Sequence, residues 1–330
     1  MKKCLQYLFN HQTLDYETAK NTLINISKGD YNNSQIAAFL TVFRMRSITL
    51  EEISGFRDAL LELCRAIDLK EFNAVDLCGT GGDGKDTFNV STLASFVTAG
   101  AGVKVAKHGN YGVSSSCGSS NVMEHLGYQF TNNEDLLKKQ IDKANICFLH
   151  APLFHPAMKN VAPIRREMGV KTFFNMLGPM VNPSFPKNQI VGVFSLELQR
   201  LYQYLYQQSE KRFVILHALD GYDEISLTGA VKVITNESEN IHEPEDFGMD
   251  KVKSTDLHGG NTVPEAAAIF LNILQNKGTK VQEQVVCTNA GMAISCSRPD
   301  LSINDSIALA QESLHSGKAF DTFKALLSFQ

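Results

Sequence analysis

Cys78-Gly79-Thr80-Gly81-Gly82-Asp83-Gly84-Lys85-Asp86-Thr87-Phe88-Asn89-Val90-Ser91-Thr92 follows the apolar run Ala74 to Leu77 and leads into an apolar helical stretch. A strand, a glycine-rich loop and a helix in that order make an anion cradle. Glycines let backbone N–H groups close around phosphate oxygens, and the helix adds its positive N-terminal end. Two familiar patterns fail on these letters. Gly79, Gly81 and Gly84 fit a dinucleotide loop, but the next strand, Val103 to Ala106, closes on Lys107 and His108 instead of an acid for a ribose hydroxyl. Gly79 with Gly84-Lys85 approaches a nucleoside triphosphate loop, but Asp86 stands where that loop needs a hydroxyl for magnesium. What remains is a loop for a phosphorylated sugar, in which Asp83 is tolerable when a divalent cation or a ribose hydroxyl lies between it and the phosphates.

Downstream of Asn73, short apolar runs alternate with helical stretches: Ala74 to Leu77, Val103 to Ala106, Ile146 to Leu149, Ile190 to Phe194, Phe213 to His217 and Val231 to Ile234. That alternation predicts a mostly parallel sheet, whose ligands collect at the carboxyl ends of the strands. The glycine loop, Lys107-His108 and Asp220-Gly221-Tyr222-Asp223-Glu224 all fall there. Residues 236–260 lack clear periodicity and read as a surface excursion. Upstream, Tyr16 to Ser27, Ser34 to Arg46 and Leu50 to Ile67 read as helices. The first stops at Gly29, and Thr49 with Glu52 forms a capping box for the third. The fold class is therefore α/β: a small helical N-terminal domain over 1–70 and a larger α/β domain over 71–330 with a mostly parallel sheet.

At 330 residues the chain exceeds one typical core, and 43% hydrophobic with 20% charged residues is ordinary for a folded protein. A net charge of −4, with Lys and Arg dispersed, argues against a nucleic-acid surface. The seven cysteines include no C-x-x-C pair, so neither a disulfide framework nor a zinc site is indicated. Met1-Lys2-Lys3-Cys4-Leu5 begins like a signal peptide, but its apolar run breaks at Gln6 and Asn10-His11. No stretch approaches the roughly 20 apolar residues of a membrane span. The expected address is cytoplasmic, away from membranes.

Several constellations admit two readings. Asn89 or Ser91 is either a helix cap or part of the cradle, and Ser91 is also placed to hold magnesium through a water. The loop from Lys107 to Asn121, with a lysine, a histidine and a serine cluster around glycines, favours an anionic ligand, although Ser119 also suits a helix N-cap. Asp223-Glu224 is either a solvated turn or an oxygen-ligand site for Mg2+. Arg165-Arg166 follows Pro163 in a helical segment, Ala157 to Met168, and one arginine either pairs with an acid on its own helix, Glu167 being near, or grips a substrate carboxylate through its planar fork.

The chain resembles the anthranilate phosphoribosyltransferase family through Gly79-Thr80-Gly81-Gly82-Asp83-Gly84, Thr87-Phe88-Asn89-Val90-Ser91-Thr92, Lys107-His108-Gly109-Asn110, Ser114-Ser115 with Gly118-Ser119, and His155-Pro156-Ala157-Met158-Lys159. The similarity continues through Arg165, Asn175-Met176-Leu177-Gly178-Pro179, Asn182-Pro183 and Asp223-Glu224. This resemblance implies a nucleoside phosphorylase or phosphoribosyltransferase type of fold, with the helical domain completed by helices within about 155–188 and the active site at the cleft between domains of a homodimer. It implies that phosphoribosyl pyrophosphate is bound by Gly79, Gly82, Asp83, Thr87, Asn89, Val90, Ser91, Thr92, the run Lys107, His108, Gly109, Asn110, Tyr111, Gly112, Val113, Ser114, Ser115, and Ser119. Anthranilate would be positioned by Gly79, Asn110 and Arg165, with His108 and Pro179 lining its path. Mg2+ would be held by Ser91, Asp223 and Glu224, and no essential nucleophile is expected.

Two departures stand out: Tyr111 where many members carry Arg, and Ser120-Asn121 where many carry Ala-Asp. One removes a positive and the other a negative charge, and the expectation is that they partly compensate. A pyrimidine nucleoside phosphorylase-like enzyme is disfavoured by the Lys-His-Gly-Asn loop and the acid pair. A non-catalytic nucleic-acid-binding relative would carry a degenerate loop and a basic surface, and this chain has neither.

Overall fold

The computed structural model describes residues 1–112 and 117–329. They form two compact units, residues 1–67 with 151–183, and residues 68–150 with 184–329. The chain begins with α1 (Lys2–Phe9), α2 (Tyr16–Lys28), α3 (Asn33–Met45) and α4 (Leu50–Glu62). Asp15 caps α2 by accepting the Thr18 N–H at 2.7 Å, and Gly29 ends it in a left-handed conformation. Thr49 and Glu52 make the expected capping box. Helix α4 ends at Glu62, short of Ile67, because the chain beyond it bonds to the returning segment instead: the Arg65 N–H donates to the Phe154 carbonyl at 2.7 Å and that of Ile67 to the Pro183 carbonyl at 3.1 Å.

Glu52 is fully buried and accepts from the Leu14 and Thr49 N–H groups, each at 2.9 Å, and from the Arg46 guanidinium. Burial alone would raise its pKa, but Arg46 and the two amides outweigh that and hold the carboxyl below its ordinary value. Glu52→Gln therefore costs about 3 kcal/mol of stability at pH 7, because it breaks a buried pair and turns an amide donor toward other donors. A folded-state pKa below the unfolded one stabilises only above the unfolded value, about 4.3. The gap between wild type and variant in urea titrations should therefore shrink as pH falls below that value.

The second unit opens with β1 (Val75–Gly79), α5 (Val90–Gly100), β2 (Val105–Gly109), α6 (Ser119–His125), α7 (Glu134–Ala144) and β3 (Ile146–His150). The chain then returns to the first unit as α8 (Ala151–Phe154), α9 (Ala162–Met168) and α10 (Phe174–Leu177). Phe173 stacks on Phe56 at 4.4 Å and meets Phe39 and Phe43 edge-on, so an aromatic core joins this segment to α3 and α4. The stretch Ala157 to Met168 is not one helix but a 3-10 turn, Pro156–Asn160, followed by α9.

The second unit resumes with β4 (Asn188–Gly192), α11 (Leu196–Gln207), β5 (Arg212–Ala218), β6 (Val231–Thr235) and β7 (Glu239–His242). It closes with α12 (Val263–Leu274), α13 (Lys280–Ser297), α14 (Ile303–His315) and α15 (Lys318–Ser328). Its seven-stranded sheet has the order β3-β2-β1-β4-β5-β6-β7, with β1 to β5 parallel and β6 and β7 antiparallel. Alternate residues Val75, Leu77, Val214 and Leu216 enter a core with α5 and α13, as the period of two in a strand requires. Strand β7 lies inside the stretch read as an excursion. As an edge strand exposed on both sides it carries no apolar alternation to read. Strand β2 continues through Lys107-His108 to Gly109 rather than closing at Ala106, because the buried Lys107 ammonium is satisfied inside the sheet by the Leu77 carbonyl at 2.6 Å.

Candidate active site

Strands β1 and β4 are neighbours, while the chain leaves them for β2 and β5 on opposite sides. Ligands in such sheets bind outside the strand ends at this switch point. The glycine loop leaves β1 here, tied by the Thr80 N–H to the Gly192 carbonyl at 2.9 Å. It turns through Gly81, Gly82 and Gly84 at φ of 64°, 79° and 73°, angles that side chains resist. Its far limb is held by residues 257–259. Thr87 bridges His258, the Phe88 N–H donates to the Leu257 carbonyl at 3.0 Å, and the Gly259 N–H donates to that of Asp86 at 2.9 Å. The Thr80 hydroxyl is buried without a hydrogen-bond partner among the described residues.

The acid pair comes from the β5–β6 connection and settles over the ends of β1 and β4. Gly79 and Gly192 face each other in register, and a Cβ on either would collide with Asp223, at its carboxylate over Gly79 and its carbonyl over Gly192. Asp223 Oδ2 accepts the Gly81 N–H at 2.6 Å, and Glu224 Oε1 accepts the Ser91 N–H at 3.1 Å. The positive end of α5 thus meets Glu224. Burial, and next the charge of Asp83, push the Asp223 carboxyl up to about 7. Glu224 is raised well above its ordinary value by burial, then by Asp223 and Asp83. Three mutually repelling acids against two helix- and loop-derived amides fit a divalent cation. Among the described residues no three His, Cys, Asp or Glu side chains gather as a ready-made cage. Mg2+ takes one or two carboxylates and fills its shell with water and substrate phosphates.

Lys107 lies beneath this site, its Nζ 3.5 Å from Ser91 Oγ; burial lowers its pKa against the opposing pull of Cys78, Asp76 and Glu224. The His108 N–H donates to the buried Asp76 carboxylate at 3.1 Å. Asn89 occupies the N-cap position of α5 but makes no side-chain cap bond. Its Nδ2 instead donates to the Cys117 carbonyl at 3.0 Å, joining the two loops. Val90 and Thr92 are buried in the first turn of α5, and Ser91 is half-buried.

In the second loop, beyond Gly109 at the end of β2, the Asn110 carbonyl accepts from Ser119 Oγ and the Ser120 N–H, both at 3.3 Å. Ser119 is the first residue of α6, whose N-cap is Gly118. Asn121 Oδ1 accepts from the N–H groups of Gly112 and Gly118 at 3.1 and 3.2 Å. The Tyr111 hydroxyl donates to Glu124 Oε1 at 2.6 Å, and its ring stands edge-on to His150. The two departures meet on His150, whose Nδ1 lies 3.0 Å from Ser120 Oγ while its ring stands edge-on to Tyr111. Val113, Ser114 and Ser115 lie outside the described residues.

In the first unit, Arg165 on α9 donates from Nη2 to Asn175 Oδ1 at 3.2 Å, and its guanidinium lies 5.2 Å from the Phe174 ring centre. Among the described residues no carboxylate forms an ion pair with it, so the Glu167 pairing is not made. Asn175 Oδ1 also accepts the Thr172 N–H at 3.0 Å. Burial lowers the Arg165 pKa, so its charge is held in a partly dry setting. His155 and Pro179 are buried in the same unit.

Sequence reasoning assigned no role to Gly192, Thr80 or Leu257 to Gly259. A lone glycine closing a strand carries no local signal that another segment's backbone will rest on it, and the 257–259 clamp lies far along the chain from the loop it holds.

Fold and site define the class: residues 71–320 match the a/b domain of a glycosyl transferase family, and residues 2–64 match its helical bundle domain. A curated anthranilate phosphoribosyltransferase of Christiangramia forsetii is 65% identical over 99% of this chain and 98% of its own length. Two solved structures of the Saccharomyces cerevisiae anthranilate phosphoribosyltransferase each cover 98% of this chain and 96% of theirs. One, in complex with PRPP and Mg, is 28% identical with a TM-score of 0.90, and the other, with 4-fluoroanthranilate, is 26% identical with a TM-score of 0.88. The chain belongs to the anthranilate phosphoribosyltransferase family.

Proposed function

We propose that the chain transfers the phosphoribosyl group of 5-phosphoribosyl 1-pyrophosphate to the amine of anthranilate, giving N-(5-phosphoribosyl)anthranilate and pyrophosphate, in L-tryptophan biosynthesis. The observation that carries this reading is the meeting of the glycine loop and a buried acid pair at the sheet's switch point, in a chain whose full-length relatives bear that activity in their names. The glycine loop with Gly79, Gly82, Asp83 and Thr87, the start of α5 with Asn89 to Thr92, and the second loop from Lys107 to Gly112 with Ser119 bind the donor. Asp223, Glu224 and Ser91 are the residues that would hold Mg2+, which when bound supplies positive charge beside the departing pyrophosphate.

The C1–O bond to pyrophosphate breaks with its electron pair leaving on oxygen, while the aniline nitrogen bonds to C1 and then gives up a proton. Anthranilate's amine is neutral near pH 7, so no side chain has to activate it, and positioning with electrostatics supplies the acceleration. Arg165, held by Asn175 and Phe174, grips the carboxylate of anthranilate.

Mixing the chain with anthranilate, phosphoribosyl pyrophosphate and Mg2+ should extinguish anthranilate fluorescence only when all components are present. Undiminished fluorescence at high enzyme concentration would overturn the proposal. Tyr111→Phe, which removes a hydrogen bond worth about 1 kcal/mol from the second loop, should raise the KM for the donor about 5-fold and leave that for anthranilate within a factor of about two.

Exposed Tyr7, Phe9 and Met45 on the mutually packed α1 and α3 support a homodimer, which light scattering would report. Among the described residues no helix is long and apolar enough to cross a membrane. The small charged substrates fit work in the cytoplasm.

A further inference from the structure

Helix α13 carries one side chain whose hydrogen bonds point away from the needs of its own helix. Asn289, buried, accepts the Ile225 N–H on Oδ1 at 3.0 Å and donates from Nδ2 to the Ile225 carbonyl at 2.9 Å. Its second Nδ2 hydrogen goes to the Val285 carbonyl at 2.8 Å, within α13. The orientation of the amide is fixed by its partners, since only an oxygen can face the N–H and only the nitrogen can face the two carbonyls. A primary amide that takes both polar groups of one residue holds that residue as a neighbouring strand would. Here the residue held is the one immediately after Glu224.

We infer that Asn289 is the positioning residue of the acid pair, fixing from behind the short segment whose front is held by the Gly81 and Ser91 amides. Gly192 supports the Asp223 carbonyl from below, and Asn289 anchors Ile225 on the far side. Helix α13 is itself fixed by packing on β1, β4, β5 and α5, so the anchor is a rigid element. The need for such an anchor follows from the chemistry of the segment. Two buried acids repel each other, and each accepts a backbone amide from the loop or helix in front. Without a clamp the segment would relax toward solvent and lose the spacing that suits a divalent cation. This inference rests on the reading of Asp223 and Glu224 as cation ligands.

The test is binding of Mn2+ in the presence of inorganic pyrophosphate, followed by the electron paramagnetic resonance signal of free Mn2+, on the full chain. Asn289→Ala should weaken Mn2+ binding at least about 10-fold, the usual scale for residues that orient metal ligands, with anthranilate binding within a factor of about two of wild type. Thr288→Val, which removes a buried hydrogen bond to the Gln284 carbonyl on the same helix without touching Ile225, controls for general loosening and should leave Mn2+ binding unchanged. Should Asn289→Ala not fold, Asn289→Asp, which keeps the acceptor for the Ile225 N–H but loses both donors, carries the same expectation. Mn2+ binding by a folded Asn289 variant within a factor of about two of wild type would overturn the inference alone. Wild-type chain that binds no Mn2+ with pyrophosphate would overturn the reading of the acid pair, and this inference with it.

Discussion

Glu224→Gln should lower kcat/KM by about 100- to 1000-fold while raising the melting temperature. The loss follows from removing one of two fixed negative charges where a cation and a pyrophosphate are to be held, an electrostatic contribution of the size seen when a preorganised group is deleted. The gain in stability follows from the same burial. A carboxyl whose folded-state pKa lies above its unfolded value stabilises the fold only while protonated, so its contribution fades as pH rises from the unfolded pKa toward the folded one. Glu224 and Asp223 both have raised folded-state values, and for Asp223 the fade spans about pH 4 to about 7. At neutral pH the pair therefore works against folding, and a neutral amide of the same shape, still able to accept the Ser91 N–H, relieves it. An increase of at least about 2 °C at pH 7.5, vanishing toward pH 4, is expected by differential scanning calorimetry. Activity within a factor of about five of wild type would show that Glu224 is a structural acid only.

Arg165→Ala should raise the KM for anthranilate by about 10- to 100-fold and change that for the donor by no more than about twofold. A hydrogen bond to a charged group is worth about 1.5–3 kcal/mol, which sets the range. Arg165 suits that task because Phe174 and Asn175 fix its plane and no carboxylate among the described residues neutralises it. Arg165→Lys should recover little, since an ammonium lacks the planar fork and stacks poorly. A loss of packing on Phe174 would lower stability in both variants but would not separate the two Michaelis constants. Equal effects on both substrates would argue against the carboxylate grip.

Where a segment's burial alternates or runs continuous, its residues announce it, and six of the sheet's strands lie where apolar runs predict them. The seventh, Glu239–His242, does not, because an exposed edge needs no apolar face. Lys107 misleads for the opposite reason: a lysine normally ends a buried strand, yet here its ammonium reaches a main-chain carbonyl inside the sheet. The site divides similarly. Glycines at 79–84 and the adjacent acids at 223–224 are visible locally because their chemistry is unusual for their surroundings. That Gly79 and Gly192 exist to seat Asp223, that Asn89 ties two loops instead of capping a helix, and that Asn289 clamps Ile225 are facts of tertiary approach. Each joins residues separated by tens of positions or more, through a single side chain or a missing one, and leaves no periodic trace.

The most direct measurement of the central claim is a single-turnover reaction, with enzyme in excess over anthranilate, in which product mass and released pyrophosphate are both counted. The expected result is N-(5-phosphoribosyl)anthranilate and pyrophosphate in equal amounts, matching the anthranilate consumed and abolished by removal of Mg2+. Pyrophosphate released while anthranilate is recovered intact, or no reaction with all components present, would contradict it.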